Sequence, residues 1–114
     1  MAETMSDRRD APRYALTLVA EVLEPLNGTV LNARSSDVSR SGCYIDTLNP
    51  LPPGTSVKIQ LRSGDDVFET QGRVVYVCPG LGMGVHWGTN PQPMHLANLD
   101  RWLQKAASTA SIAT

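Results

Sequence analysis

Hydrophobic and polar residues alternate along most of this chain, which is the pattern of strands with one buried face. The clearest case lies at 55–63, where Val57, Ile59 and Leu61 alternate with polar residues. Further strands are predicted over 14–23, 29–39, 41–47, 67–78 and 79–88. Within the strand at 67–78, Gly72 is predicted to mark a β-bulge, because glycine inside a strand pattern often does so.

The period changes after Pro93, where Leu96, Leu99 and Leu103 are spaced three and four residues apart with Trp102 beside them. This spacing predicts one amphipathic helix. Short strands followed by a single helix indicate a mainly β fold, namely a small six-stranded antiparallel β-barrel whose open end is covered by a C-terminal α-helix. We expect a flexible N-terminal arm over 1–13, one domain over 14–107 and a disordered tail over 108–114.

The charge balance limits the class of partner. Ten basic and 11 acidic residues give a formal net charge of −1, which argues against a DNA or RNA binder that works by broad phosphate neutralisation. No apolar run approaches the roughly 20 residues that span a bilayer, so direct membrane insertion is not expected. Cys43 and Cys78 have no CxxC spacing, which favours a reducing cytoplasm over a disulfide framework or a zinc site.

The chain lacks the usual motifs of enzymes and metal sites. His86 and His95 have no HxxxH or HExxH spacing, so no metal site is predicted. The glycines near 82 and 84 do not complete GxGxxG and lead into a strand, which argues against a Rossmann site, although Gly82 and Gly84 are candidates for the ligand face. Trp87 is predicted to be a core or barrel-end residue. We therefore expect no catalytic activity and no cofactor.

Two short motifs stand out against this background. The first is RRDAPR at 8–13, where Pro12 keeps the arginines on an extended arm. The second is DVSRSG at 37–42, which is suited to a tight connection between strands. Asp37 or Ser39 can accept hydrogen bonds from nearby backbone N–H groups, and Gly42 can adopt a positive φ. Turn chemistry alone would explain the second motif, but the ordered pair RRxxxR and DxSxxG within one small β-rich domain resembles the PilZ family of cyclic di-GMP receptors.

The resemblance covers nearly the whole chain and implies a ligand-binding role for the motif residues: Arg8, Arg9, Arg13, Asp37, Ser39 and Gly42. Cyclic di-GMP carries two phosphodiesters and two guanines, and an arginine fork can grip a phosphate or a guanine edge while its flat face stacks on a purine. Asp37 would accept from guanine donors or from an arginine, Ser39 would add a hydroxyl, and Gly42 would keep the turn small.

The resemblance also implies a mechanism. An arginine at position 8, directly before the RxxxR core, goes with binding a stacked, intercalated dimer of the ligand. We expect the arm to fold over the ligand and the reshaped surface to signal to an effector protein. Two alternatives are a ligand-independent PilZ-type adaptor in pilus or flagellar assembly, and a barrel that binds single-stranded nucleic acid. The intact motifs disfavour the first, and the few aromatic residues disfavour the second.

Overall fold

The computed structural model describes residues 12–88 and 91–113, with side chains described as far as residue 108. Within these ranges the chain forms seven strands and then a helix. The strands are β1 (Tyr14–Ala15), β2 (Val19–Glu24), β3 (Thr29–Val38), β4 (Gly42–Asp46), β5 (Ser56–Ser63), β6 (Asp66–Cys78) and β7 (Gly82–His86), and the helix is α1 (Pro93–Ala113). The backbone of α1 thus includes residues 108–113, which the sequence analysis assigns to the tail.

Six of the strands close into a barrel. They are hydrogen-bonded in the order β3-β2-β5-β6-β7-β4, and pairing of β4 with β3 completes the ring. Every pairing is antiparallel. The short strand β1 adds to β3 outside this ring, with Ala15 opposite Asp37. The predicted fold, a six-stranded antiparallel barrel with a C-terminal helix, is confirmed.

The barrel interior is filled by the inward positions that the alternation predicts. Val57, Ile59 and Leu61 of β5 are all buried, and so are their counterparts on the other strands of the ring. At one end the helix contributes Leu99 and Trp102, which join the same core cluster. Burial of each large apolar side chain stabilises the fold by roughly 1.5–3 kcal/mol, so the helix is an integral part of the domain.

The predicted single strand over 14–23 is wrong, because the chain leaves the ladder between β1 and β2. The cause is Ser35, whose buried hydroxyl accepts from Leu18 N at 2.9 Å and donates to Leu16 O at 2.7 Å. These bonds replace ladder hydrogen bonds where β3 itself is irregular, between Ser35 and Asp37. The break separates β1 from β2 and leaves β1 as a short strand beside Asp37.

The β-bulge of β6 lies near Val75 and not at Gly72 as predicted. The register against β7 shifts between Val74 and Tyr76, whereas Gly72 pairs regularly with Val57. The result is that Val75 and Tyr76 are both exposed on the outside of the barrel.

The helix is fixed to the barrel by polar side chains as well as by its apolar face. Asn98 Nδ2 donates to Val67 O at 2.7 Å, and His95 Nδ1 accepts from Glu69 N at 3.0 Å. The carbonyl of Val67 and the N–H of Glu69 both belong to the first half of β6. The helix α1 is therefore held at two positions along one strand. In the described part of the chain, no helix has the length and apolarity needed to cross a membrane.

Candidate ligand-binding face

The DVSRSG motif forms the end of β3 and the turn into β4, and Ser39 organises this turn. Its side chain is 1% exposed. The Ser39 hydroxyl accepts from Ser41 N and Gly42 N at 3.2 Å each and donates to Gly42 O at 3.2 Å. The Ser39 backbone N–H adds a bond to Gly42 O at 2.8 Å. The hydroxyl that the sequence analysis assigns to the ligand is thus engaged within the turn, where it fixes the direction of the motif.

The reason for glycine at position 42 differs from the predicted one. Gly42 does not have a positive φ; it lies at the start of β4, directly opposite His86 of β7. A Cβ at this position would lie 2.5 Å from the carbonyl oxygen of Val85. The close approach of two backbones, and not a left-handed conformation, therefore requires glycine here.

The two motifs meet at Arg13 and Asp37. Pairing of β1 with β3 places Ala15 opposite Asp37, and Arg13 precedes β1 by one residue. Arg13 Nε and Nη2 both donate to Asp37 Oδ1, at 3.0 and 2.5 Å. The side chains remain 43% and 37% exposed, so the ion pair lies at the surface. Arg8 and Arg9 lie outside the described residues.

Two aromatic rings cover the strands next to this ion pair. Tyr44 of β4 lies opposite Asp37, and it stacks on Tyr76 of β6 with ring centroids 6.1 Å apart and planes 29° apart. Each ring lies over a glycine of β7, since a Cβ at Gly82 would overlap Tyr44 and a Cβ at Gly84 would overlap Tyr76. We call these two rings the tyrosine shelf. Gly82 and Gly84 are buried beneath the shelf, which they allow to lie flat on the barrel.

The pKa values of both phenols of the shelf are raised above the ordinary value, by hydrogen bonding at Tyr44 and by burial at Tyr76. A hydrogen bond with the Cys78 thiol is the main cause that raises the pKa of Tyr44 to about 12. Burial raises the pKa of Tyr76, the positive charge of Arg13 opposes this, and the negative charge of Asp37 adds to it. The ion pair therefore lies within electrostatic range of the tyrosine shelf, and the two form one continuous face.

The opposite side of the motif turn contacts the helix. Arg40 Nε lies 2.9 Å from Asp100 Oδ1, and Arg40 Nη2 donates to Asp100 Oδ2 at 3.2 Å. Trp87 Nε1 donates to Arg40 O at 2.8 Å, and its ring packs against Phe68 with centroids 5.0 Å apart. Trp87 is only 7% exposed and lies in the core, as predicted. The turn is thus in direct contact with both α1 and the barrel end.

The structure brings together the described motif residues, but the sequence analysis missed the tyrosine shelf. Arg13, Asp37, Ser39 and Gly42 all lie at the junction of β1, β3 and β4. Tyr44 and Tyr76 were not identified because they meet across an intervening strand, and their distance in sequence gives no sign of this. The available signal was Gly82 and Gly84, two glycines on the same face of β7 that leave room for large neighbours.

Solved structures with the same fold support this architecture. The chain is similar to the PilZ domain of YcgR from Escherichia coli, solved with c-di-GMP, with a TM-score of 0.69 and 18% identity over 90% of this chain and 94% of that one. It also resembles the PilZ domain of CeSA from a cellulose-synthesizing bacterium, with a TM-score of 0.60 and 18% identity over 79% of this chain and 92% of that one.

A third similar structure is MotI/DgrA, the inhibitor of motility of Bacillus subtilis, with a TM-score of 0.69 and 13% identity. The match covers 90% of this chain but 51% of that one, so this chain spans about half the length of MotI. No curated protein matches the sequence. The model of the PilZ domain family matches residues 7–105, including both motifs, and the chain therefore belongs to the PilZ domain family.

Proposed function

We propose that this PilZ domain binds cyclic di-GMP on the face formed by the Arg13–Asp37 ion pair, the motif turn and the tyrosine shelf. The observation that carries the proposal is the contact between Arg13 and Asp37, which joins the two motifs at one place on the barrel. The domain would act as a binding module of the bacterial cytoplasm with no catalytic activity, and it would pass the signal to an effector protein.

The chemistry of the face matches the ligand. A guanidinium binds a phosphodiester or the O6 and N7 acceptors of guanine, while the Asp37 carboxylate accepts from guanine N1–H and N2–H. The tyrosine shelf offers aromatic surface against which a purine can stack, a contact worth roughly 1–3 kcal/mol per base. Charged groups next to flat aromatic surface are what a small, doubly anionic purine compound requires.

Binding would redirect Arg13 at little cost. The Arg13–Asp37 pair is exposed, and exposed ion pairs contribute only about 0–1 kcal/mol. A hydrogen bond from the same guanidinium to a phosphate contributes about 1.5–3 kcal/mol. Because the hydrogen bond to phosphate contributes more than the exposed ion pair, a ligand would draw Arg13 away from Asp37. The Asp37 carboxylate would then be free to bind a guanine. Arg8 and Arg9 would then close over the ligand from the arm, and we propose that the bound species is a stacked dimer.

Calorimetric titration with cyclic di-GMP tests this proposal. Wild-type protein is expected to bind, whereas Arg13→Ala and Asp37→Ala are each expected to weaken binding by about tenfold or more. Arg62→Ala is a matched control, because Arg62 is an exposed arginine of β5 opposite Val19, away from this face. Linear GMP, which has one base, should bind far more weakly than the cyclic dinucleotide.

Two outcomes would contradict the proposal. Absence of binding by folded wild-type protein would favour the ligand-independent adaptor. Equal affinity of Arg13→Ala and Arg62→Ala would place the ligand elsewhere on the barrel. Two finer points have their own measurements: saturation at one ligand per chain would exclude the dimer, and unchanged hydrogen exchange of residues 8–13 at saturation would exclude closure of the arm.

A further inference from the structure

A second group of polar side chains lies next to the tyrosine shelf and belongs to neither motif. Antiparallel pairing places Arg73 of β6 opposite His86 of β7, and His86 opposite Gly42 of β4. Both side chains are exposed on the outside of the barrel. Gly42, His86 and Arg73 thus form one row across three strands. His86 follows Gly84 by two residues along β7, so this row lies roughly 7 Å from the row that carries the tyrosine shelf.

The charge of Arg73 is not neutralised within the described part of the chain. Four other described basic residues form ion pairs with carboxylates: Arg13, Arg40, Lys58 and Arg101. Arg73 forms none with the described residues, and its cross-strand neighbours are Ser56 and His86, neither of which is an acid. A guanidinium placed on a flat sheet without a carboxylate is open to an anion from solution.

The neighbours of Arg73 suit such an anion. Directly opposed residues of antiparallel strands have Cβ atoms about 4.5–5.5 Å apart, so the Arg73 fork and the His86 ring can contact the same small group. Guanidinium has only donors to offer, and imidazole carries a ring N–H even when neutral. Gly42 adds no side chain beside His86, which leaves the approach to both residues open.

We propose that Arg73 and His86 form a second anion subsite, which takes a phosphodiester of the nucleotide that lies on the tyrosine shelf. The inference rests on the proposed function and extends it, because it adds two residues outside both motifs to the same face. A cyclic dinucleotide carries two phosphodiesters, and Arg13 lies at one edge of the shelf, beside Asp37. Arg73 lies at the other edge, on the far side of Tyr44 and Gly84 from Asp37.

The test compares Arg73→Ala with Arg62→Ala in calorimetric titrations with cyclic di-GMP. The two arginines are matched, since each is exposed on an outward strand position and each forms no ion pair with the described residues. Arg73→Ala is expected to raise the Kd by about tenfold, and Arg62→Ala by less than about twofold. Both variants should keep the melting temperature of the wild type, because neither side chain is buried.

The histidines provide a second readout. The chain has two, and His95 is engaged with Glu69 N between helix and barrel, so it serves as an internal control. Saturating cyclic di-GMP is expected to shift the imidazole NMR signals of His86 and to leave those of His95 in place.

The outcomes separate this inference from the proposed function. If the wild type binds, Arg13→Ala loses affinity and Arg73→Ala matches Arg62→Ala, then the second subsite is wrong and the proposed function stands. A His86 signal that does not move at saturation leads to the same conclusion. If folded wild-type protein does not bind, both proposals fail.

Discussion

Replacement of Gly42 by alanine tests why the last residue of the motif is glycine. A Cβ at position 42 would lie 2.5 Å from Val85 O and 3.3 Å from the Cα of His86, both backbone atoms of β7. Ordinary van der Waals contact would require β4 and β7 to separate by roughly 0.5–1 Å in a closed barrel. Overpacking of this kind costs about 1–3 kcal/mol, which for a domain near this size corresponds to a fall in melting temperature of about 5–15 °C.

Urea denaturation followed by circular dichroism measures this free energy, with Gly84→Ala as the comparison. At Gly84 the three nearest atoms to an added Cβ all belong to the ring of Tyr76, which is 44% exposed and can rotate into solvent. We therefore expect Gly84→Ala to cost under about 1 kcal/mol. If Gly42→Ala is as stable as the wild type, the close approach of the two backbones is not the reason for glycine at position 42.

Three further predictions concern the turn and the thiols. Ser39→Ala should lower the free energy of unfolding by about 1–3 kcal/mol, measured in urea, because two N–H groups lose their acceptor in a buried turn. Cys78→Ala should lower the pKa of Tyr44 from about 12 towards 10, seen in the absorbance of the phenolate. In the wild type, this raised pKa makes stability fall as pH rises from 10 to about 12, since the folded state keeps the proton longer. Burial raises the pKa of Cys43, so alkylation followed by mass spectrometry should label Cys78 first and Cys43 only on unfolding.

The parts of the fold that could be predicted from sequence are those where one face of an element is buried. Val57, Ile59 and Leu61 alternate because β5 has one side in the core, and Leu96, Leu99 and Leu103 repeat because α1 lies on the barrel end. The break between β1 and β2 could not be predicted in this way. It depends on the hydroxyl of Ser35, which is 17 residues from Leu18 in sequence and accepts a hydrogen bond from its backbone N–H. Hydrophobic periodicity carries no information about such a contact.

The candidate site was predictable to the extent that it lies in local motifs. Arg13 and Asp37 could be paired because a resemblance supplied both motifs, and the register of β1 on β3 explains how they meet. The tyrosine shelf depends on the register of three strands at once, β4, β7 and β6. No single segment of sequence specifies that register, so Tyr44 and Tyr76 emerged only from the closed barrel.

The pairing of β1 with β3 has a consequence for the residues that precede it. Position 13 is held beside Asp37, and position 9 is four residues earlier, so an extended chain carries Arg9 at most about 14 Å from that anchor. A short tether of this length maintains an effective concentration in the millimolar range at the face. Under the proposed function, Arg8 and Arg9 would therefore be a second, intramolecular point of attachment, and the residence time of cyclic di-GMP would depend on how often both points release it together.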